Sequence, residues 1–243
     1  MDMRYGVIGD IHSNLEAFEA VLEEINKREI DKIICLGDIV GYGANPNECI
    51  DKVRQLTDIV VIGNHDAGSI GQTDLNYFNW VAREACEWTG RVLTASNRAY
   101  LKNLDFVKKE KGAFIVHASP SKPAAWIYVI SLGVAIQEFS YFNESVCFVG
   151  HSHVPITFVK RGEKYDVIED THFKLAKGAH YIINVGSIGQ PRDLDPRASF
   201  GIYDSDEKQV EIIRLAYDIE TAQIKIRKAG LPEFLATRLA LGK

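Results

Sequence analysis

The sequence predicts an α/β fold, a two-sheet α/β sandwich with helices on the outer faces and a helical insertion. In the first half of the 243-residue chain, short runs rich in β-branched residues alternate with longer segments of helical periodicity. That alternation is typical of strands and crossover helices in a parallel sheet. After residue 153, strand-like runs follow one another closely, which is typical of hairpins. This change, from strands that alternate with helices to strands that follow one another closely, favours two sheets packed face to face.

The first 63 residues have the order strand, helix, strand, helix, strand. Each of the three predicted strands ends in a glycine: Gly9, Gly37 and Gly63. The first helix is predicted from Asn14 to about Arg28. Ser13 is its expected N-cap, because Glu16 follows three residues later in a capping-box pattern. The second helix follows the loop 41–46.

The segment from about 67 to 112 breaks this rhythm and is predicted to be a helical insertion beside the sheet. Two stretches within it, 74–91 and 95–104, carry apolar residues at helical spacing. Further strands are predicted to end at His117 and Gly150, with a helix near 134–141 between them. The later predicted strands are 156–160, 165–169, 181–185, 200–203 and 209–215. The tail, about 217–243, is predicted to be helical, and residues 1–243 are expected to form one domain.

Bulk composition limits the classes of protein that fit. The formal net charge is −5, whereas nucleic-acid-binding domains are usually basic, so nucleic acid is not an expected partner. No signal-peptide core and no apolar stretch of membrane-spanning length is visible, so we expect a cytoplasmic protein without a membrane partner. The four cysteines form no CxxC pair. Cys35 and Cys147 lie in predicted strands and are expected to be reduced core residues.

Polar residues of the types that bind metals follow the predicted strands. The candidate ligands are Asp10, His12, Asp38, Asn64, His117, His151 and His153. A lone DxH or HxH motif is common without metal, and a lone aspartate after a strand is more often a helix cap. Because parallel strands gather their functional groups at their carboxyl ends, the joint occurrence predicts one site with a pair of metal ions. His172 and His180 lie outside this pattern.

The mixture of donors suggests which metals would bind. Carboxylate oxygen together with imidazole nitrogen suits Mn²⁺, Fe or Zn²⁺ better than Ca²⁺ or Mg²⁺. We expect two divalent ions, with Mn²⁺ first and Fe, Zn²⁺ or Ni²⁺ as alternatives. Asp38 is the best candidate to bridge them, because a carboxylate has two oxygens. The neutral amide of Asn64 would limit negative charge where an anionic substrate must bind.

Five sequence blocks carry a family resemblance. They are Gly9-Asp10-Ile11-His12, Gly37-Asp38-Ile39-Val40-Gly41, Gly63-Asn64-His65-Asp66, His117 and Gly150-His151-Ser152-His153. This series resembles the calcineurin-like metallophosphoesterases, whose pattern is DxH, GDxxG, GNH(D/E), H and GHxH. The resemblance extends over about residues 4–204. Residues 184–192, Asn-Val-Gly-Ser-Ile-Gly-Gln-Pro-Arg, resemble a segment of the small bacterial and archaeal phosphodiesterase branch.

The resemblance implies a ligand set for each metal. One ion would bind Asp10, His12, Asp38 and His153, and the other would bind Asp38, Asn64, His117 and His151. Two departures from the family pattern are present. Ala118 follows His117 where many relatives have glycine, and 41–43 reads Gly-Tyr-Gly where protein Ser/Thr phosphatases carry Asp-Arg. The second departure argues against a protein phosphatase of that type.

The expected activity is metal-dependent phosphoester hydrolysis, on a phosphodiester or a nucleotide-type substrate. Two metals about 3.5–4 Å apart would generate a hydroxide nucleophile and clamp the phosphoryl oxygens. His65 is the candidate general acid, with Asp66 expected to orient its ring. The competing hypothesis is that His65 only forms hydrogen bonds around the metal ligands and transfers no proton. The alternatives for the whole protein are a non-catalytic metal-dependent binding or scaffold protein, and a phosphoprotein phosphatase.

Substrate contacts are less clearly marked. Arg192 is expected to hold a phosphate oxygen, although a surface salt bridge is nearly as good an interpretation. Asn184, Gly186 and Ser187 are expected to shape the pocket, with ordinary turn chemistry as the alternative. Aromatic residues in the loop near 126 and in the insertion could stack a nucleobase or could belong to the core. The expected partner is a small phosphoester, and the sequence does not indicate an oligomeric state.

Overall fold

The computed structural model describes residues 3–243, which form two β-sheets flanked by helices. Within these residues the strands are β1 Arg4–Ile8, β2 Lys32–Cys35, β3 Val107–Glu110, β4 Ala113–Val116, β5 Val146–Val149, β6 Ile156–Arg161, β7 Lys164–Ile168, β8 His172–Lys174, β9 His180–Asn184, β10 Ala198–Asp204 and β11 Gln209–Leu215. The α-helices are α1 Leu15–Asn26, α2 Pro46–Leu56, α3 Asn64–Ser69, α4 Trp80–Val92, α5 Ala95–Lys102, α6 Leu132–Glu138, α7 Ile219–Lys228 and α8 Glu233–Thr237. Short 3₁₀ turns occupy Leu75–Tyr77, Pro123–Ala125, Phe139–Tyr141 and Arg238–Leu241.

Both sheets are mixed, which confirms the predicted two-sheet α/β architecture. The first sheet has the order β2-β1-β10-β11-β8, in which β1 and β2 are parallel and the other pairs are antiparallel. The second has the order β3-β4-β5-β9-β6-β7, in which β4, β5 and β9 are parallel neighbours. The parallel strands therefore occupy both sheets, and their carboxyl ends supply the loops that carry the candidate ligands.

Alternating side chains on the strands divide the core into layers. On β1, Val7 packs in the cluster between the two sheets, whereas Ile8 packs in the cluster that includes α1 and α2. The same alternation on β5 places Phe148 between the sheets and Cys147 against the layer that contains α6. Side chains with a period of two on a strand produce this result whenever both faces are covered.

A further apolar cluster joins α4 of the insertion to the C-terminal helices α7 and α8. Tyr42, from the loop after β2, is buried in this cluster. The tail therefore packs against the part of the chain that lies beside the candidate ligands. Among residues 3–243, none of the helices combines the length and the apolar composition that a membrane crossing requires.

Several local predictions were wrong. The third predicted strand is reduced to two isolated bridges, Val60 with Cys35 and Val61 with Asp105. The insertion is helical only as far as Lys102, because 107–110 forms an edge strand paired with β4. Strand β8 was not predicted, since three residues give too little alternation to recognise.

The first helix is capped by Asn14 rather than by Ser13. The Asn14 side chain accepts a hydrogen bond from the Ala17 amide at 3.2 Å. Ser13 adopts a left-handed conformation with φ 55°, so the chain is still turning at that residue. Asn and Ser are equally good N-caps, and the sequence alone could not separate two neighbouring candidates.

We expect Phe148→Ala to destabilise the protein by about 3–5 kcal/mol, because this fully buried ring fills the space between the sheets. Urea denaturation should show that loss as a lower midpoint. The matched control is Phe106→Ala, which removes a ring that is 39% exposed and should cost about 1 kcal/mol or less. Equal losses in the two variants would contradict the layered core.

Candidate metal centre and adjoining cleft

Two overlapping groups of buried side chains lie at the carboxyl ends of the parallel strands. The ligand atoms within each group all lie within 4.8 Å of one another. The first group is Asp10, His12, Asp38 and His153, and the second is Asp38, His117 and His151. Asp38 belongs to both groups, which is the arrangement that a bridging carboxylate requires. Asn64 adjoins the second group, with its Oδ1 3.2 Å from His117 Nε2.

Five of the seven predicted ligands have left-handed backbone conformations. The φ angles are 49° at Asp10, 50° at His12, 49° at Asp38, 67° at His151 and 62° at His153. Each such residue costs on the order of 1–3 kcal/mol and persists only when its surroundings impose it. Backbone hydrogen bonds between the loops supply that constraint, for example from the Asp10 amide to the Gly37 carbonyl at 3.0 Å.

Backbone carbonyls fix the tautomers of three candidate ligands. Nδ1 of His12 lies 3.1 Å from the Val40 carbonyl, Nδ1 of His117 lies 2.7 Å from Leu36, and Nδ1 of His153 lies 2.6 Å from Gln190. A carbonyl oxygen only accepts, so each Nδ1 must carry a hydrogen and donate it. When these rings are neutral, each Nε2 carries no hydrogen, and its lone pair is available to bind a metal.

The Nε2 atoms of these histidines lie close to one another and to the Asp38 carboxylate. The two Nε2 atoms of His12 and His153 are 3.0 Å apart, and Asp38 Oδ2 lies 3.5 Å from the first. Asp38 Oδ2 is buried and has no hydrogen-bond donor among the described residues. Ligand atoms about 2.1 Å from one ion at right angles would lie about 3 Å apart. A donor set of this kind fits a divalent cation.

The second group offers similar donors. His117 Nε2 lies 3.4 Å from Asp38 Oδ2, and it faces the Asn64 amide oxygen as well. His151 has the opposite tautomer, because its Nε2 lies 2.9 Å from the Trp126 carbonyl and donates to it. Nδ1 of His151 is therefore the atom available to a metal.

The protonation states reflect burial and mutual charge. Burial lowers the pKa of His151 to about 3, and it holds the pKa values of His12 and His153 well below their usual range. Burial raises the pKa of Asp10 to about 7. Neutral imidazoles are the form that binds metal.

Asp38 and His117 form the charged pair of the site. Burial alone would raise the pKa of Asp38, but His117 and His65 hold it well below its usual range. Burial would also lower the pKa of His117, yet the Asp38 carboxylate raises it to about 9. Asp38 thus remains ionised and requires a positive partner, which a proton on His117 or a cation can provide.

The environment of His65 differs from the prediction in one respect. The Asp66 carboxylate accepts hydrogen bonds from the amides of Val40 and Gly63, both at 3.0 Å, and so ties two loops together rather than orienting the His65 ring. His65 Nδ1 instead lies 3.3 Å from Cys86 Sγ. The expected role of Asp66 was wrong because its partners are backbone groups, which the sequence does not reveal.

Three of the four predicted substrate contacts are buried behind the ligand loops. Asn184 donates to the Gly150 carbonyl at 2.6 Å and accepts from the Gly186 amide at 2.8 Å. Ser187 donates to the Asp10 carbonyl at 2.8 Å. These residues do not line the cleft beside the ligands, so the turn interpretation describes them better. Arg192 is only partly buried and does line a surface cleft.

A cleft of about 610 Å³ adjoins the candidate metal centre and reaches Asn64, His65 and His151. The insertion forms one wall through its 3₁₀ turn, Leu75–Tyr77, and α4. This wall includes Tyr77, which is 88% exposed, and Phe78. The opposite wall contains Trp126 and Tyr128, and the Tyr128 ring stacks on His151 at 3.9 Å. The insertion therefore borders the site. Trp80 is exposed and does not line this cleft.

Sequence comparison defines the family. Residues 3–208 match the calcineurin-like phosphoesterase superfamily domain, and the chain therefore belongs to that family. The family resemblance expected from the five blocks is thus confirmed.

Two relatives align along almost the whole chain. An uncharacterized protein of Methanocaldococcus jannaschii, MJ0912, is 45% identical over 241 residues, which cover 98% of this chain and 97% of that protein. The crystal structure of a metallophosphoesterase from Sphaerobacter thermophilus is 42% identical, with a TM-score of 0.88 and complete coverage of both chains. The hypothetical protein PH1004 from Pyrococcus horikoshii shares the fold, with a TM-score of 0.81 at 22% identity and 99% coverage of each chain.

We expect Gly63→Ala to disturb metal binding, because a Cβ at this position would lie 2.1 Å from Asp38 Oδ1 and 2.3 Å from the Asp38 amide nitrogen. Bound Mn²⁺, measured by elemental analysis after gel filtration, should fall below half of the wild-type content. The control is Gly133→Ala, where a Cβ meets open space in α6. Unchanged metal content in Gly63→Ala would contradict the requirement for close approach.

Proposed function

We propose that this protein is a metal-dependent phosphoesterase that hydrolyses phosphodiesters or nucleotide-type phosphoesters at a dinuclear centre. The observation that carries the proposal is the sharing of Asp38 by two groups of buried ligands directly beside a cleft. Asp10, His12, Asp38 and His153 would hold one ion. Asp38, Asn64, His117 and His151 would hold the other. The mixed nitrogen and oxygen donors favour Mn²⁺, with Fe, Zn²⁺ or Ni²⁺ as alternatives.

Two divalent ions in these positions would supply Lewis acidity toward the phosphoryl oxygens and would make a water molecule more acidic. The chain's own residues hold the donors in place before substrate arrives. The carbonyls that fix the imidazole rings and the left-handed backbone of the ligand loops both preorganise the centre. Such preorganisation is the usual source of electrostatic stabilisation in catalysis.

His65 is the proposed general acid for the leaving oxygen. Its ring lines the cleft and lies 4.2 Å from the ring of Tyr42 and 5.2 Å from that of Phe78. Burial raises the pKa of the Cys86 thiol far above its usual value, so the thiol is protonated and can donate to His65 Nδ1. The neutral ring then carries its hydrogen on Nε2 and would donate a hydrogen bond there to the leaving oxygen. Transfer of a proton needs the imidazolium form, which burial disfavours by lowering the pKa of His65 to about 4.

The cleft supports a nucleoside as the leaving group. A volume of about 610 Å³ lies within the range of small-molecule sites. The walls present aromatic rings, and the polar side chains of Gln72, Thr73 and Asn79 offer hydrogen-bonding groups. The described lining contains neither Lys nor Arg, which disfavours a nucleic-acid backbone in this cleft. The partner we propose is therefore a small phosphoester.

Arg192 is proposed to hold a non-bridging oxygen of the scissile phosphate. It lines a second cleft of about 430 Å³ that shares Tyr128 with the first. Its amide donates to the carbonyl of the candidate ligand His153 at 3.4 Å, so the residue is anchored beside the centre. A guanidinium matches the geometry of phosphate oxygens.

The test is hydrolysis of bis-p-nitrophenyl phosphate by metal-stripped protein titrated with Mn²⁺. We expect turnover to appear with the metal and to fall at least 100-fold, as an order of magnitude, in Asp38→Asn, because the amide weakens both ligand groups at once. The control Asp58→Asn changes the same charge at an exposed position and should retain full turnover. Metal-loaded wild-type protein with no turnover would favour the non-catalytic binding alternative.

For His65→Gln we expect retained metal content and a rate lower by on the order of 10²–10⁴, the usual scale of general acid–base catalysis. The loss should shrink for substrates with good leaving groups, since these need less protonation. His180→Gln, outside the centre, is the matched control. A loss that is uniform across leaving groups would show that His65 does not act as the acid.

A further inference from the structure

The second cleft adjoins both the first cleft and the candidate metal centre. Its volume is about 430 Å³, within the range of small-molecule sites, and it shares the Tyr128 ring with the cleft that reaches His65. The same ring stacks on the candidate ligand His151, with 3.9 Å between the ring centres. The lining of the second cleft includes Ser152, which lies between the candidate ligands His151 and His153 in the chain. The two clefts therefore meet at Tyr128, and each borders the candidate metal centre.

The second cleft differs from the first in its chemistry. Most of its described lining residues are apolar or aromatic, namely Tyr128, Ile130, Val154 and Ile156. Ile130 is 57% exposed, so aliphatic surface is left open. The Ser152 hydroxyl is already engaged, because it accepts from Asn184 Nδ2 at 3.0 Å and donates to the Val154 carbonyl at 3.4 Å. The first cleft, in contrast, presents several amide and hydroxyl side chains. Open aliphatic surface in a cleft of this kind favours an apolar ligand group.

The charge in the second cleft lies on the side of the candidate metal centre. Among the described residues that line it, Arg192 carries the only charge. Arg192 Nη2 donates to the Tyr42 hydroxyl at 3.3 Å, and the Tyr42 ring lies 4.6 Å from the ring of the candidate ligand His12. A ligand that fits this distribution has an anionic group at the metals and an apolar group that extends into the cleft.

We propose that the second cleft binds the ester group that a phosphodiester substrate retains, and that this group is an apolar alkyl or aryl group. The inference rests on the proposed function and narrows its substrate class to phosphodiesters with two unlike ester groups. The first cleft takes the polar, nucleoside-type group, and the second takes the apolar group. A phosphomonoester would leave the second cleft without an occupant.

The two clefts also define which bond breaks. His65, the proposed acid, lines the first cleft and is not part of the described lining of the second. The oxygen of water bonds to phosphorus, and the P–O bond to the group in the first cleft breaks. One hydrogen of the water leaves with that group as an alcohol, and the other stays on the new phosphate oxygen or is released to solvent. The product is a phosphomonoester that carries the apolar group.

The experiment compares p-nitrophenyl phosphodiesters that share one leaving group and differ only in the retained group, which is methyl, butyl or 3-hydroxypropyl. Hydrolysis by the Mn²⁺-loaded protein is measured as kcat/KM, to which binding of the retained group contributes. A methylene fully removed from water contributes about fourfold, so with partial burial we expect butyl to exceed methyl by about 10- to 50-fold. The 3-hydroxypropyl ester should be at least about 5-fold poorer than butyl, because an apolar cleft gives its hydroxyl no partner.

A variant locates the cleft that binds the chain. Ile130→Gln places an amide in the second cleft and should reduce the butyl-to-methyl ratio of kcat/KM to about 3-fold or less. The matched control is Ile136→Gln, which makes the same change at an isoleucine of α6 that is 40% exposed and lines neither cleft. This control should keep the wild-type ratio. Each ratio is taken within one protein, so a smaller folded fraction does not alter it.

Three results would overturn the inference. A wild-type butyl-to-methyl ratio below about 2-fold would show that no apolar cleft holds the retained group. A ratio in Ile130→Gln equal to that of wild type would show that the chain binds elsewhere. Equal rates for the butyl and 3-hydroxypropyl esters would show that the cleft is not selective for apolar groups. Should Ile130→Gln fail to fold, the wild-type series still decides the question.

Failure of the proposed function is distinguishable from failure of this inference. The former would leave every p-nitrophenyl diester, the methyl ester included, without metal-dependent turnover. In that case, titration calorimetry of the Mn²⁺-loaded protein with dimethyl phosphate and butyl methyl phosphate, which hydrolyse very slowly, tests the cleft alone. A preference for the butyl compound of about 10-fold or more supports the apolar cleft, and equal affinities overturn it.

Discussion

The buried carboxylate of Asp38 is the constraint on which the rest of the site depends. It is fully buried, it remains ionised, and its Oδ2 has no hydrogen-bond donor among the described residues. Leaving a buried charge without a partner is costly, so the surroundings must supply positive charge. His117 can provide it with a proton, and a cation between the imidazoles can provide it better. Both ligand groups contain this one carboxylate, and every other donor is placed relative to it.

The fold holds that arrangement at an energetic cost. Left-handed backbone at Asp10, His12 and Asp38 would relax if the loops were free. The loops are instead tied to one another: the Asp66 carboxylate binds two of them through amides, and Asn184 and Ser187 bind others. Residues that hold ligand loops can be as necessary as the ligands, although none of them touches a metal.

The sequence predicted the two-sheet architecture and the convergence of the candidate ligands, because apolar runs followed by His, Asp or Asn identify strand ends. It did not predict which polar residues bind backbone rather than substrate. Asp66 and Asn184 therefore received roles that their hydrogen bonds do not support. It also did not predict that Arg238 packs against Tyr42, since no local pattern relates two residues almost 200 positions apart in the chain. Contacts of this kind appear only once the tail has packed.

We propose that Asp38 joins two cation sites. The most direct test is a crystal structure of Mn²⁺-soaked protein with anomalous scattering recorded at the manganese edge. We expect two anomalous peaks about 3.5–4 Å apart, both within coordination distance of Asp38, one beside His12 and the other beside His117. A single peak, or two peaks of which only one contacts Asp38, would contradict it.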